Sequence, residues 1–314
     1  MSNQLLQLTA DKADDGLLLQ AHHSAWTTCF RSGELAAERE HSEAGRRLYD
    51  PERHLSHRSL YGGHDPGVCA ANHSAQAHWL LGYPKKALVI GSEALALAGR
   101  IAHPLSLEIA LFRDAALHLD RGDPQLALER VGAAEALAAD QRLGFMMEPR
   151  FLRGAALSAQ GAFEDAVACL REGLAGRLAM RDRPYGLNRY AEALVRQGEH
   201  GAALAAAREG LETQDRTGQR RWEAELHRFE GIALFGLNRI EDAQNALEQA
   251  LRIARSQQAK SYELRAATSL ARLWGEQGRR AEARELLAPI YGWFTEGFDT
   301  ADLKEARALL EELS

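Results

Sequence analysis

The sequence predicts an all-α chain, a right-handed superhelix of about seven helical hairpins finished by a C-terminal capping helix. Three observations predict it. One unit recurs at steps of 37 to 40 residues: a helix with a small residue in its middle, a turn that usually holds glycine, and a second helix opening with alanine. Prolines fall where helices should begin, at Pro66, Pro84, Pro104, Pro124, Pro149 and Pro184, a position where the missing N–H costs nothing. No strand-like alternation persists anywhere along the chain.

The elements follow in order as one solenoid spanning 1–314. Residues 1–50 read as a first hairpin region, a weaker copy of the unit with Ala25, Ala37 and Ala44 at its small positions. The start, 3–24, reads as if it enters a solenoid already under way. Residues 51–65 are a histidine-rich insert. Residues 66–298 hold six hairpins, whose second helices open with Ala87, Ala127, Ala166, Ala203, Ala243 and Ala283. A bulky side chain where two helices cross would push them apart, which explains the small residues. Turn glycines accept positive φ after each first helix. Asp65 and Asp123 precede prolines and are placed to cap the following helices. Residues 299–314 form the capping helix, with Asp299 or Thr300 at its start. Repeats that contact mainly their neighbours predict an elongated shape.

Composition narrows the function classes. The chain is 46% hydrophobic and 26% charged, with net charge −6, and its arginines are interleaved with glutamates. A nucleic-acid platform would show a basic face, so no nucleic-acid partner is expected. No apolar run approaches the length of a membrane span, so no membrane partner is expected. Cys29, Cys69 and Cys169 are too scattered for a disulfide framework. A reducing, cytoplasmic compartment follows.

The pattern of small residue, turn glycine and alanine resembles the tetratricopeptide repeat, its period stretched from 34 residues by longer connections. The segments HHSAW (22–26), LYDPERHLSH (48–57), LYGGHDPGVC (60–69), RSQQAKSYELRAATSLARLW (255–274) and ELLAPIYGWFTEGFDTADLKEARALLEEL (285–313) resemble, more closely, the C-terminal helical region of large bacterial signalling proteins. Those carry a nucleotide cyclase domain and a STAND-type ATPase domain ahead of it. The resemblance implies a sensor or interaction arm, a binding module without catalysis of its own. The phosphate-binding G-x-x-x-x-G-K-[ST] pattern is absent from this sequence.

The insert is the place to look for a site. Eight of the twelve histidines lie between His22 and His78. With Ala25 and Ala75 aligned as crossing residues, His22 and Asn72 become equivalent and face the concave groove that the resemblance implies. Trp26, Gln76 and Trp79 follow along the same faces, and the insert can bring Tyr61 and His64 to that end. Further on, Phe112, Phe151, Tyr185, Asn188 and Arg228 continue the lining. This set suits a peptide, a protein segment or a polar small molecule, with no cofactor.

Two other readings stand beside it. The histidines of a docked loop can simply satisfy buried carbonyls. Alternatively, His22, His54, His57 and His64 converge on a transition metal ion, making the insert an enzyme or metal site. The dipole of the helix after Asp65 favours a neutral His64 in either case. Cys69, in that helix's first turns, reads more readily as a packing residue than as a nucleophile.

Overall fold

The computed structural model describes residues 2–10, 14–143, 148–176 and 179–314. Among them there are seventeen helices and no strand. Helix α1 (Ser2–Ala10) precedes a first hairpin of α2 (Asp15–Ser32) and α3 (Leu35–Leu48). The short α4 (His57–Leu60) lies within the insert. Five hairpins follow: α5 (Pro66–Leu80) with α6 (Pro84–Ile101), α7 (Pro104–Arg121) with α8 (Pro124–Gln141), α9 (Pro149–Ala159) with α10 (Phe163–Ala175), α11 (Ala179–Gln197) with α12 (His200–Thr217), and α13 (Glu223–Gly236) with α14 (Ile240–Ser256). The last pair is α15 (Lys260–Glu276) with α16 (Arg280–Gly292), covered by α17 (Ala301–Glu312).

The local signals act where the sequence placed them. The six opening alanines, from Ala87 to Ala283, are all 0% exposed. Five of the six prolines start their helices, and the Asp65 carboxylate accepts from the Gly67 and Val68 amides at 2.9 and 3.0 Å. Pro184 differs: it lies inside α11, two residues after a break at Asp182 (φ −105°, ψ 17°). Its ring and missing donor stop the preceding turn from running straight through. Thr300 is the N-cap residue of α17, without a side-chain capping bond.

The first hairpin departs from the expected register by one residue. Counted from the left-handed turn residues Gly33, Gly82 and Gly122, the crossing position that holds Ala75 and Ala115 is filled by Trp26, not Ala25. The indole is fully buried against Gly45 of α3, where an added Cβ would collide with its ring. On α3, Glu38 rather than Ala37 takes the place of the opening alanine, and it too is fully buried. The hairpin thus puts an indole where its successors cross with a small residue, sets it against Gly45 where the next two hairpins hold Ala94 and Ala134, and inserts a carboxylate where they bury a methyl group.

The expected elongated shape is not found, because the superhelix curls until distant hairpins meet. The Arg220 amide donates to the Arg31 carbonyl (2.7 Å), and the Ser261 hydroxyl donates to the Trp79 carbonyl (2.6 Å). The Lys85 amide donates to the Glu296 carboxylate at 2.9 Å. Ala224, Ala254, Ala259 and Tyr262 share a core with Leu35, Ala75 and Trp79. The accessible surface, 14,033 Å², is close to the roughly 13,000 Å² of a compact protein of this mass.

Candidate functional site

The curl encloses a chain of cavities on its inner side. The largest, about 740 Å³, is bounded by α2, α5, α7 and the 61–64 end of the insert. Helix α2 contributes Gln20, His23 and Phe30; α5 contributes Cys69, Asn72 and His73; α7 contributes Arg113; the insert contributes Tyr61 and His64. Gly62 and Gly63, at φ +83° and +77°, reverse the chain so that His64 reaches inward. A smaller cavity of about 80 Å³ adjoins it across Phe30 and Arg113 and is lined by Gln76, Trp79, Tyr185 and Arg221. A third, about 450 Å³, continues past Asp120 and Arg189 to Arg228 and Arg265.

The residues expected to line the groove fall in different places. Tyr61, His64 and Asn72 border the large cavity, and Gln76, Trp79 and Tyr185 the next. Arg228 borders the third, held by Glu225 at 2.7 Å. Trp26, Phe112 and Phe151 are core residues instead, each almost wholly inaccessible. Asn188 is buried outside these cavities. His22 turns towards α3, its Nδ1 lying 3.1 Å from Nδ1 of His41. Ten residues ahead of the left-handed hairpin turns at Gly33, Gly82, Gly122, Gly161, Gly198 and Asn238 stand His23, Asn72, Phe112, Phe151, Asn188 and Arg228. His23, not His22, is therefore the equivalent of Asn72.

The four histidines expected to share a metal do not converge. His54 is buried with its Nδ1 accepting from the Asp50 amide (3.0 Å), and the His57 Nδ1 accepts from the Gln20 side chain (2.8 Å). Burial, and in each case a neighbouring histidine, lower the affinity of His22 and His57 for a proton. Only His64 meets a different set: its Nε2 lies 3.3 Å from His23 Nε2, which in turn is 3.5 Å from the Cys69 sulfur. Among the described residues, these three form the one histidine, cysteine or carboxylate group with metal-ligand spacing.

Behind Cys69 runs a buried relay. His73 Nδ1 meets Glu38 at 2.8 Å, and the other Glu38 oxygen accepts from Arg221 at 2.6 Å. The Arg221 guanidinium lies 4.0 Å from the centre of the Phe30 ring, and the His23 ring stacks on Trp26 at 4.8 Å. Burial opposes ionisation of Cys69, yet His23, His64 and His73 outweigh it and hold the thiol well below its ordinary value. Burial also opposes ionisation of Glu38, and Arg221 and His73 together leave the carboxyl below its usual value. At His64 the surroundings act against the effect expected from the helix dipole. Burial lowers its proton affinity, but the Cys69 thiol and the Gly62 carbonyl more than reverse that, so its pKa is raised.

The sequence reading passed over His23, His73, Glu38, Arg113 and Arg221. His23 and His73 were visible as part of the histidine cluster; Arg221 was not, because it arrives from the turn between α12 and α13.

No family model matches the chain. An uncharacterized protein of Rhizobium meliloti (strain 1021) is 31% identical over 268 residues, which is 81% of this chain and 25% of that protein. The chain thus spans about a quarter of the length of the curated relative it matches. Among solved structures, a Rap protein complexed with Competence and Sporulation Factor superposes with TM-score 0.66 at 13% identity, over 100% of this chain and 81% of that one. The Cut9–Hcn1 hetero-tetramer of the APC/C gives TM-score 0.56 at 16% identity, over 99% and 51%. NprR in complex with its cognate peptide NprX gives 0.56 at 12%, over 92% and 80%. The fold is a tetratricopeptide-repeat solenoid. No helix among the described residues is long and apolar enough to cross a membrane.

Proposed function

We propose that this tetratricopeptide-repeat chain is the recognition module of a cytoplasmic bacterial signalling protein. It takes a peptide, a protein segment or a polar small molecule into its concave groove, anchored in the large cavity. One observation carries the reading. The side chain of Asn72 is buried on the cavity wall, and its Nδ2 has no hydrogen-bond partner. A buried amide left unmade costs about 1–3 kcal/mol, a cost that an incoming acceptor would remove. Arg113 stands on α7, the first helix of the next hairpin, its guanidinium 5.0 Å from the Phe30 ring centre and bonded to Gln76 at 2.9 Å. Donors at Asn72 and Arg113 with aromatic walls at Phe30 and Tyr61 suit a ligand that presents a carboxylate or a peptide carbonyl. Two proteins of the same fold, one in complex with its cognate peptide and one with Competence and Sporulation Factor, support a peptide as the first class to test.

The test is selection of displayed peptides on the purified chain, then titration calorimetry of the recovered sequences. Asn72→Leu and Arg113→Met should each weaken binding by about tenfold or more, equivalent to about 1.4 kcal/mol. Peptides that bind both variants as tightly as wild type would refute the assignment to this cavity.

A further inference from the structure

We infer that His23, His64 and Cys69 bind one transition-metal ion, zinc by preference, on the wall of the large cavity.

The first argument is metric. The two Nε2 atoms are 3.3 Å apart, and the Cys69 sulfur is 3.5 Å from that of His23. A tetrahedral ion with bonds of about 2.0–2.1 Å to nitrogen and about 2.3 Å to sulfur sets those separations at roughly 3.3–3.4 and 3.5–3.6 Å. All three donor atoms lie within 4.8 Å of one another.

The second argument is the proton count. His64 Nδ1–H donates to the Gly62 carbonyl at 3.0 Å, which leaves its Nε2 as a lone pair. His23 Nδ1–H donates to the Gln20 side-chain oxygen at 3.1 Å, while the Gln20 nitrogen donates to His57 at 2.8 Å. His23 therefore also presents a lone pair at Nε2. Two lone pairs facing each other at hydrogen-bond distance repel unless a cation or a proton lies between them. The outer hydrogen bonds are of the kind that orients metal-bound imidazoles.

The donor set and its surroundings choose among ions. One thiolate and two imidazoles suit zinc and exclude magnesium and calcium, which take oxygen ligands. The set is held firmly. Cys69 sits on α5 with His73 and Glu38 behind it, and His23 is stacked on Trp26. Three protein donors leave a fourth position, and all three residues border the cavity, so a water molecule or a ligand's own donor completes the tetrahedron there. The inference does not rest on the peptide reading, since metal uptake needs no peptide.

The test uses the full chain, stripped with a chelator and titrated with Co2+ alone. One equivalent should bind, giving intense tetrahedral bands in the visible and a thiolate-to-cobalt charge-transfer band, both erased by one equivalent of Zn2+. Cys69→Ser should abolish the charge-transfer band. His23→Gln and His64→Gln should each weaken uptake by at least about tenfold, and His22→Gln should leave it unchanged. Should Cys69→Ser fail to fold by circular dichroism, wild-type protein decides alone: one equivalent of Zn2+ should protect Cys69, but not Cys169, from alkylation followed by peptide mass mapping. Absence of stoichiometric uptake, a charge-transfer band that persists in Cys69→Ser, or Cys69 alkylation indifferent to Zn2+ would show that only a proton occupies the locus.

Discussion

Arg221 and Glu38, 183 residues apart in the chain, form an ion pair at 2.6 Å with both side chains almost completely buried. Glu38 occupies the place that alanine fills in the other hairpins, and Arg221 comes from the far arm of the superhelix. The pair therefore links the first hairpin to the fifth connection and closes the solenoid around its cavities.

Removing either partner takes the main counter-charge from the other in a water-free site, with only His73 left to Glu38. Glu38→Ala and Arg221→Met should each lower stability by about 3–5 kcal/mol in urea unfolding. The double variant should lose clearly less than the sum, since it replaces the pair by the alanine and apolar packing used elsewhere in the chain. Small-angle scattering should give a radius of gyration near the roughly 20 Å of a compact chain for wild type, and a larger one for Arg221→Glu. Additive single losses and an unchanged radius would count against closure by this contact.

Trp26 and Gly45 make a second test of the first hairpin. Alanine inside a helix usually gains about 0.5–1 kcal/mol over glycine. At position 45 the new Cβ would strike the Trp26 ring, so Gly45→Ala should instead cost about 1–3 kcal/mol. Trp26→Leu should relieve part of that cost in the double variant. A stabilised Gly45→Ala single variant, read from its thermal midpoint, would contradict the packing.

These two contacts explain what could be read in advance and what could not. Turn glycines, helix-starting prolines and the six buried alanines are local signals, each acting within a few residues, and they gave the hairpins. The register of the first hairpin was not readable from small residues alone. Ala25 lies beside Trp26 in sequence, and only the space above Gly45 shows which of them crosses. Glu38 was hidden for the same reason, because its partner lies in a distant repeat. The site suffered twice. A one-residue shift put His22 in the place of His23, and nearest-neighbour repeats gave no hint that Arg221 would swing onto Phe30. Phe112 and Phe151 looked like groove walls because the right face was chosen, but hairpin stacking buries that face at those repeats.

The third cavity carries a pH prediction. Burial disfavours the Glu192 carboxylate, but Arg196, Arg189, Arg228 and Arg265 outweigh it and bring its pKa down to about 2. A carboxyl depressed in the folded state adds stability that is full above its ordinary value of 4.5 and is lost as pH falls towards 2. The contribution is on the order of 3 kcal/mol. Urea midpoints should therefore drop between pH 5 and pH 2.5, and Glu192→Gln should flatten this drop while lowering stability at pH 7. An acid limb identical in the variant would assign the loss to other carboxyls.

Asp65 holds the end of the insert to α5 with three bonds from one carboxylate. Its Oδ1 accepts from the Gly67 and Val68 amides, and its Oδ2 accepts from the Tyr49 hydroxyl at 2.8 Å. Its own amide donates to Ser106 at 2.8 Å, which ties the same point to α7. Asp65→Ala removes a helix cap, about 1 kcal/mol or more. It also leaves the Tyr49 hydroxyl short of its partner, a further 1–3 kcal/mol or so. The total should be about 2–4 kcal/mol in urea unfolding, whereas Tyr49→Phe alone should cost only about 1 kcal/mol. Asp65→Asn keeps an oxygen for the cap and should fall between them. Because the carboxylate accepts from both amides, Asp65→Ala should also speed hydrogen exchange at Gly67 and Val68 under native conditions, well beyond the change in Tyr49→Phe. Equal exchange in the two variants would mean that Ser106 and the packing of the Tyr49 ring on Gly67, not the carboxylate, fix this wall of the cavity.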